Sequence, residues 1–136
     1  MSRSGYVDDM DDNWSFICWR GAVNSALKGR RGQACLQELL DALDALPAPR
    51  LIAANLEDHG EVCALGALGK KRGVNLVALD PEDCSGIAGA FGIAEAMARE
   101  IVYINDEAGI YDETPEDRFV RVRTWIVNHL RKDSVT

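Results

Sequence analysis

Cys63, His59 and Asn105 are the side chains here whose types could form a nucleophile, a base and an orienting amide. A cysteine attacks a substrate when a base lies within hydrogen-bond reach and a third group orients that base. His59 lies just upstream of Cys63 on an expected turn. Asn105 would join them if the Asn-Asp turn after its helix packs on the helix that Cys63 opens. The competing reading is structural: Cys63 is a buried helix-start residue, and Asn105 and Asp106 bond backbone groups at a helix end. That reading is preferred, so no catalytic residue is assigned and a Cys63-dependent enzyme is only the second alternative. His129, alone on the last helix, reads as a C-terminal helix cation or a surface residue.

Other site chemistries fail on spacing. Cys18, Cys35, Cys63 and Cys84 form no C-x-x-C pair and have no histidine pair nearby, so no zinc site is expected. The run Asp8, Asp9, Asp11, Asp12 lacks the glycine and distal glutamate of a calcium loop. The chain contains no P-loop motif, and Gly86, Gly89 and Gly92 do not have the dinucleotide spacing. No cofactor and no metal are therefore predicted.

Charge is the stronger signal. The net charge is −7, unevenly spread. Residues 13–31 carry Arg20, Lys28, Arg30 and Arg31 and no acid, whereas residues 73–117 carry eleven acids against the single Arg99. Residues 118–136 turn basic again, with Arg118, Arg121, Arg123, Arg131 and Lys132. Such blocks steer association with a charged partner or pair within a homodimer, although a single block also suits an ordinary solvated helix face. Trp14 and Trp19 beside the first basic block suit phosphates and bases, with Lys70, Lys71 and Arg72 as an added patch. The acidic balance argues against a nucleic-acid binder, whose domain is usually net basic. No apolar run is long enough to span a membrane, and Met1-Ser2-Arg3-Ser4-Gly5 leads into no secretory stretch. A cytoplasmic protein with reduced thiols is expected.

Helices must position these groups. Residues 1–12 read as a flexible acidic arm and residues 13–132 as a single helical domain. Phe16, Trp19, Val23 and Leu27 mark a first helix, ended by Gly29 and Gly32 around a basic turn. Leu36, Leu39, Leu40, Leu43 and Leu46 form the clearest stripe, stopped by Pro47. Two apolar runs, Leu51–Leu56 and Glu61–Cys63, flank the polar turn Glu57–Gly60 and predict a small hairpin within about residues 50–64. A short helix follows from Cys63 to Arg72, in which Gly66 and Gly69 suit a close backbone approach. Asp80-Pro81-Glu82-Asp83 and Thr114-Pro115-Glu116-Asp117 both read as capped helix starts. Ile87, Ala88 and Phe91 face inward, Gly92 breaks that helix, and Met97, Ile101 and Ile104 share one face of the next. Phe119, Val122, Trp125, Ile126 and Leu130 point inward from the last helix, with Arg118, Arg121 and Arg123 mostly outward. The expected fold is mainly α, a compact bundle of five or six helices with that hairpin.

The segment Gly60-Glu61-Val62-Cys63-Ala64-Leu65-Gly66-Ala67-Leu68-Gly69 resembles a pattern in small phage and prophage-encoded proteins of unknown function, where a strand ends in a Cys-x-x-Gly-Ala turn. Ile104-Asn105-Asp106-Glu107, and Thr114-Pro115-Glu116 followed by Arg121 and Trp125, match its later motifs. Asn13-Trp14, Trp19-Arg20-Gly21 and Gly29-Arg30-Arg31-Gly32-Gln33 are similar to the front half of such proteins. The resemblance spans roughly residues 4–132. It implies a phage or prophage origin and a small helical domain, and it transfers no activity. The leading expectation is a phage accessory protein that binds a host or phage protein, as an acidic inhibitor of a nucleic-acid-processing or defence system. Its expected contacts are Asp80, Glu82, Asp83, Glu107, Asp112 and Glu113, or else Arg20, Arg30 and Arg31. The alternative is nucleic-acid binding through Arg20, Lys28, Arg30 and Arg31.

Overall fold

The computed structural model describes residues 13–109 and 112–130; the expected acidic arm and the basic residues Arg131 and Lys132 lie outside the described residues. The fold is mainly α: helices α1 (Asn13–Lys28), α2 (Arg30–Asp44), α3 (Ala64–Lys71), α4 (Cys84–Phe91), α5 (Glu95–Asp106) and α6 (Pro115–His129). A two-stranded antiparallel hairpin, β1 (Glu57–Asp58) and β2 (Glu61–Val62), precedes α3, and a 3-10 turn (Leu76–Ala78) follows it.

The leucine stripe of α2 builds the centre. Leu36, Leu39 and Leu43 are buried, with Leu40 and Leu46 packed against them half-buried. Leu65 and Leu68 of α3, Met97 and Ile101 of α5, and Val122 and Ile126 of α6 complete the same cluster. Each is an apolar side chain recurring at helical spacing, so burying one stripe per helix suffices to close the core.

Two glycines in α3 show how tightly it is wedged. A Cβ at Gly66 would lie 1.9 Å from the carbonyl oxygen of Leu56, and one at Gly69 would lie 2.7 Å from Cζ of Phe91. Gly66 gives the close backbone approach expected of it, whereas Gly69 makes room for the side chains of Leu76 and Phe91 instead, and the helix-propensity cost of glycine is tolerated for those reasons.

Local chemistry places several boundaries differently from expectation. Arg30 and Arg31 are not in a turn. Gly29 is the N-cap of α2, the two arginines open that helix, and Gly32 packs so closely that a Cβ there would lie 1.7 Å from the Ala26 carbonyl oxygen. α4 begins at Cys84 rather than at Pro81: Asp80 accepts the Glu82 N–H (2.9 Å) in a separate turn, and Asp83 caps the helix by accepting the Gly86 N–H (3.0 Å). An aspartate bonded to a backbone amide two residues on competes with helix initiation at that point.

The hairpin is also narrower than the apolar pattern suggests. Its pairs are Glu57 with Val62 and Asp58 with Glu61, joined across His59 (φ 52°) and Gly60 (φ 83°), both left-handed as a tight two-residue hairpin turn requires. Leu51–Leu56 is not a strand. Ala54 is left-handed (φ 72°), which interrupts any extended run, and alanine favours strands poorly. α6 starts as expected, with Thr114 Oγ1 accepting the Asp117 N–H (3.0 Å) and Pro115 in the first turn.

Candidate interaction surfaces

The structure brings Asn105 to the helix start that Cys63 caps, as expected if its turn packs there, but employs each side chain of the nucleophile–base–amide set elsewhere. Cys63 is buried, caps α3, and its sulfur accepts the Gly66 N–H at 3.4 Å. The His59 side chain is 93% exposed on the hairpin turn, with Nδ1 2.6 Å from the Asp58 carboxylate. Asn105 is buried and fully employed: Oδ1 accepts the Ala64 N–H (3.0 Å), and Nδ2 donates to the Ile52 carbonyl (2.9 Å) and to the Asp106 carboxylate (2.8 Å). Its amide joins segments far apart in sequence, so Asn105 acts as a structural rivet, and the helix-start reading of Cys63 describes the geometry.

Arg118 and Arg121 complete that rivet instead of facing outward. Arg118 donates to the carbonyls of Asn105 (3.1 Å) and Leu51 (3.0 Å), and Arg121 donates to the carbonyls of Ile104 and Asn105. Both also meet Glu113, which accepts two bonds from Arg121 (2.6 and 2.9 Å) and lies 3.5 Å from Arg118. The Glu113 side chain is only 7% exposed, so this expected contact carboxylate sits inside the fold. The Arg121 hydrogen bonds hold its carboxyl below the ordinary range, partial burial opposes them, and the charges of Arg121 and Arg118 add to the lowering. Arg118 and Arg121 thus cover the terminal carbonyls of α5, where cations belong.

The expected basic block also divides. Arg20 lies 3.3 Å from Glu100, a carboxylate with a 5% exposed side chain, and stacks on the Trp19 ring. Lys70 pairs with Glu57 at 2.6 Å. Arg72 pairs with both oxygens of Glu38 (2.8 and 2.9 Å) and donates to the Phe91 carbonyl. Arg50, Arg99 and Arg123 have carboxylate partners as well. Arg30 and Arg31, both exposed, have no such pairing among the described residues. They border a groove of about 900 Å³ between the α1–α2 corner at Gly29 and the α4–α5 corner at Gly92–Ala94. Cys35 is buried beneath it, and desolvation pushes its thiol up to about 11.

Among the expected acidic contacts, Asp80, Glu82 and Asp83 are exposed and stand together on the loop between the 3-10 turn and α4. The backbone bonds of Asp80 and Asp83 fix their carboxylates without burying them. Val77, in the 3-10 turn that leads into this loop, is 88% exposed and borders a hollow of about 230 Å³ that Leu76, Leu79 and Pro81 also line. Glu107 is half-buried at the C-cap of α5, and Asp112 is exposed in a left-handed conformation (φ 64°), both away from that loop in sequence. Sequence reasoning missed both the groove and the exposed valine. The lack of acids around Arg30 and Arg31 is legible in the sequence, but the opposite wall of the groove comes from residues 88–97, which only the fold brings there.

Among the described residues, no group of three His, Cys, Asp or Glu side chains could hold a metal ion, and no helix is long and apolar enough to cross a membrane. No family model, curated protein or solved structure matches the chain.

Proposed function

We propose that the chain is a phage or prophage accessory protein that works in the bacterial cytoplasm by binding a host or phage protein. Its contact surface is the loop from Leu76 to Asp83. The observation that carries this reading is Val77, 88% exposed on the same short segment of chain as the exposed Asp80, Glu82 and Asp83. An apolar anchor rimmed by charge is the usual anatomy of an interface, and here two of the rim carboxylates are held in place before binding. The complement is a basic surface, such as the groove of a nucleic-acid-processing enzyme, met quickly at low salt and slowly at high salt. The phage resemblance supports that class of partner.

The test uses the full chain immobilised against host lysate, followed by mass spectrometry. The expected result is one partner that dissociates at high salt and is lost with Val77→Ser or Glu82→Lys, both exposed changes that leave folding intact. Capture that survives both changes, or that is lost only on changing Arg30 and Arg31, would overturn the reading in favour of the basic surface.

A further inference from the structure

We propose that the groove between the Gly29 and Gly92–Ala94 corners binds an amphipathic organic anion, its acidic head on Arg30 and Arg31 and its alkyl body along the wall. Three observations converge. The cavity, about 900 Å³, falls within the size range of small-ligand sites. No carboxylate lines it, although the chain has 22 acids and every other described arginine has an acidic partner. The wall is built from small and apolar groups, including Ala26, Ala88, Gly89, Ile93 and Met97, which suit an alkyl chain and offer little to recognise a polar body.

The third lining arginine, Arg72, is held by Glu38 and the Phe91 carbonyl, so it shapes the rim while the α2 pair remains available. Two guanidinium groups can grip a carboxylate or a phosphate through paired hydrogen bonds. A nucleotide fits less well, because no aromatic side chain lines the groove to stack on a base.

Calorimetric titration of the full chain tests this with decyl phosphate and decanoate, each below its micelle concentration, against decanol and inorganic phosphate. The expected result is one-to-one binding of one or both alkyl anions, the preferred head identifying the source, with no comparable binding of decanol or inorganic phosphate. Arg30→Ala with Arg31→Ala should weaken it by about tenfold or more, the scale of a lost charged hydrogen bond. Gly89→Leu should block it while the circular dichroism stays helical, because Gly89 lines the groove and a Cβ there meets no atom within 4 Å. Failure of both alkyl anions to bind, or equal binding by the Gly89→Leu variant, overturns the proposal. So does tighter binding of a single-stranded oligonucleotide that ignores Gly89→Leu, since that would make the arginines a backbone-phosphate contact.

Discussion

Arginines sit beside two helix starts in this protein, and their fates are opposite. At α6, Arg118 and Arg121 are closed around Glu113 and the end of α5, and the helix start is capped by Thr114 with Glu116 and Asp117 in its first turn. At α2, Arg30 and Arg31 themselves occupy the first turn, Gly29 gives no side-chain cap, and no acid is present. Cations at a helix N-terminus oppose the macrodipole, so the second arrangement costs stability where the first supplies it. Charge of one type thus serves as internal fastening in one place and stands exposed, with no carboxylate partner among the described residues, in the other.

Substitutions can break that contrast, and the largest effect belongs to the fastened end. Asn105→Ala strands the Ala64 N–H and the Ile52 carbonyl, and should destabilise by about 3 kcal/mol in urea unfolding, given the cost of buried unpaired groups. A loss below about 1 kcal/mol would show that water replaces the amide there.

Glu113→Gln should cost roughly 2 kcal/mol by removing charge-assisted bonds to Arg121. The same pair sets a pH dependence. The folded carboxyl of Glu113 titrates below its ordinary 4.5, so its contribution is full above that value and is lost as pH falls through the lower folded value. Glu38 and Asp44 are lowered in the same direction by hydrogen bonds to Arg72 and Arg123. Stability should therefore fall on acidification in this range, and the Glu113→Gln variant should show the shallower slope in thermal melts at successive pH values.

The smallest effect has the opposite sign. Arg30→Glu with Arg31→Glu should raise stability by about 0.5 kcal/mol, because acids suit a helix N-terminus. A decrease would mean that these arginines are structural after all, and the contrast with α6 would dissolve.

Apolar periodicity made the fold legible. The leucine stripe of α2 and the Thr-Pro-Glu start of α6 state their roles locally, since a stripe or a cap needs only near neighbours. Asp80 misled because an aspartate before a proline also makes an isolated turn, and only the folded chain decides between the two. The surroundings of the expected contact residues were less legible. Glu113 and Arg20 look like free surface charges in the sequence, yet Glu113 is closed in against Arg121 and Arg20 is paired with the buried Glu100, partners that only packing brings to them. Arg30 and Arg31 stand out as charges in the sequence, but the groove beside them is completed by α4 and α5, well downstream.

The bond from the Ala64 amide to Asn105 has a kinetic meaning. That amide is held by a side chain from α5, and Ala64 itself is buried. Fraying of α3 alone would not expose it to solvent, because Asn105 also grips Ile52 and lies under Arg118 and Arg121. In deuterated water it should exchange among the slowest protons of the molecule, reporting the opening of the whole chain. Amides of the exposed loop around Val77 should exchange early.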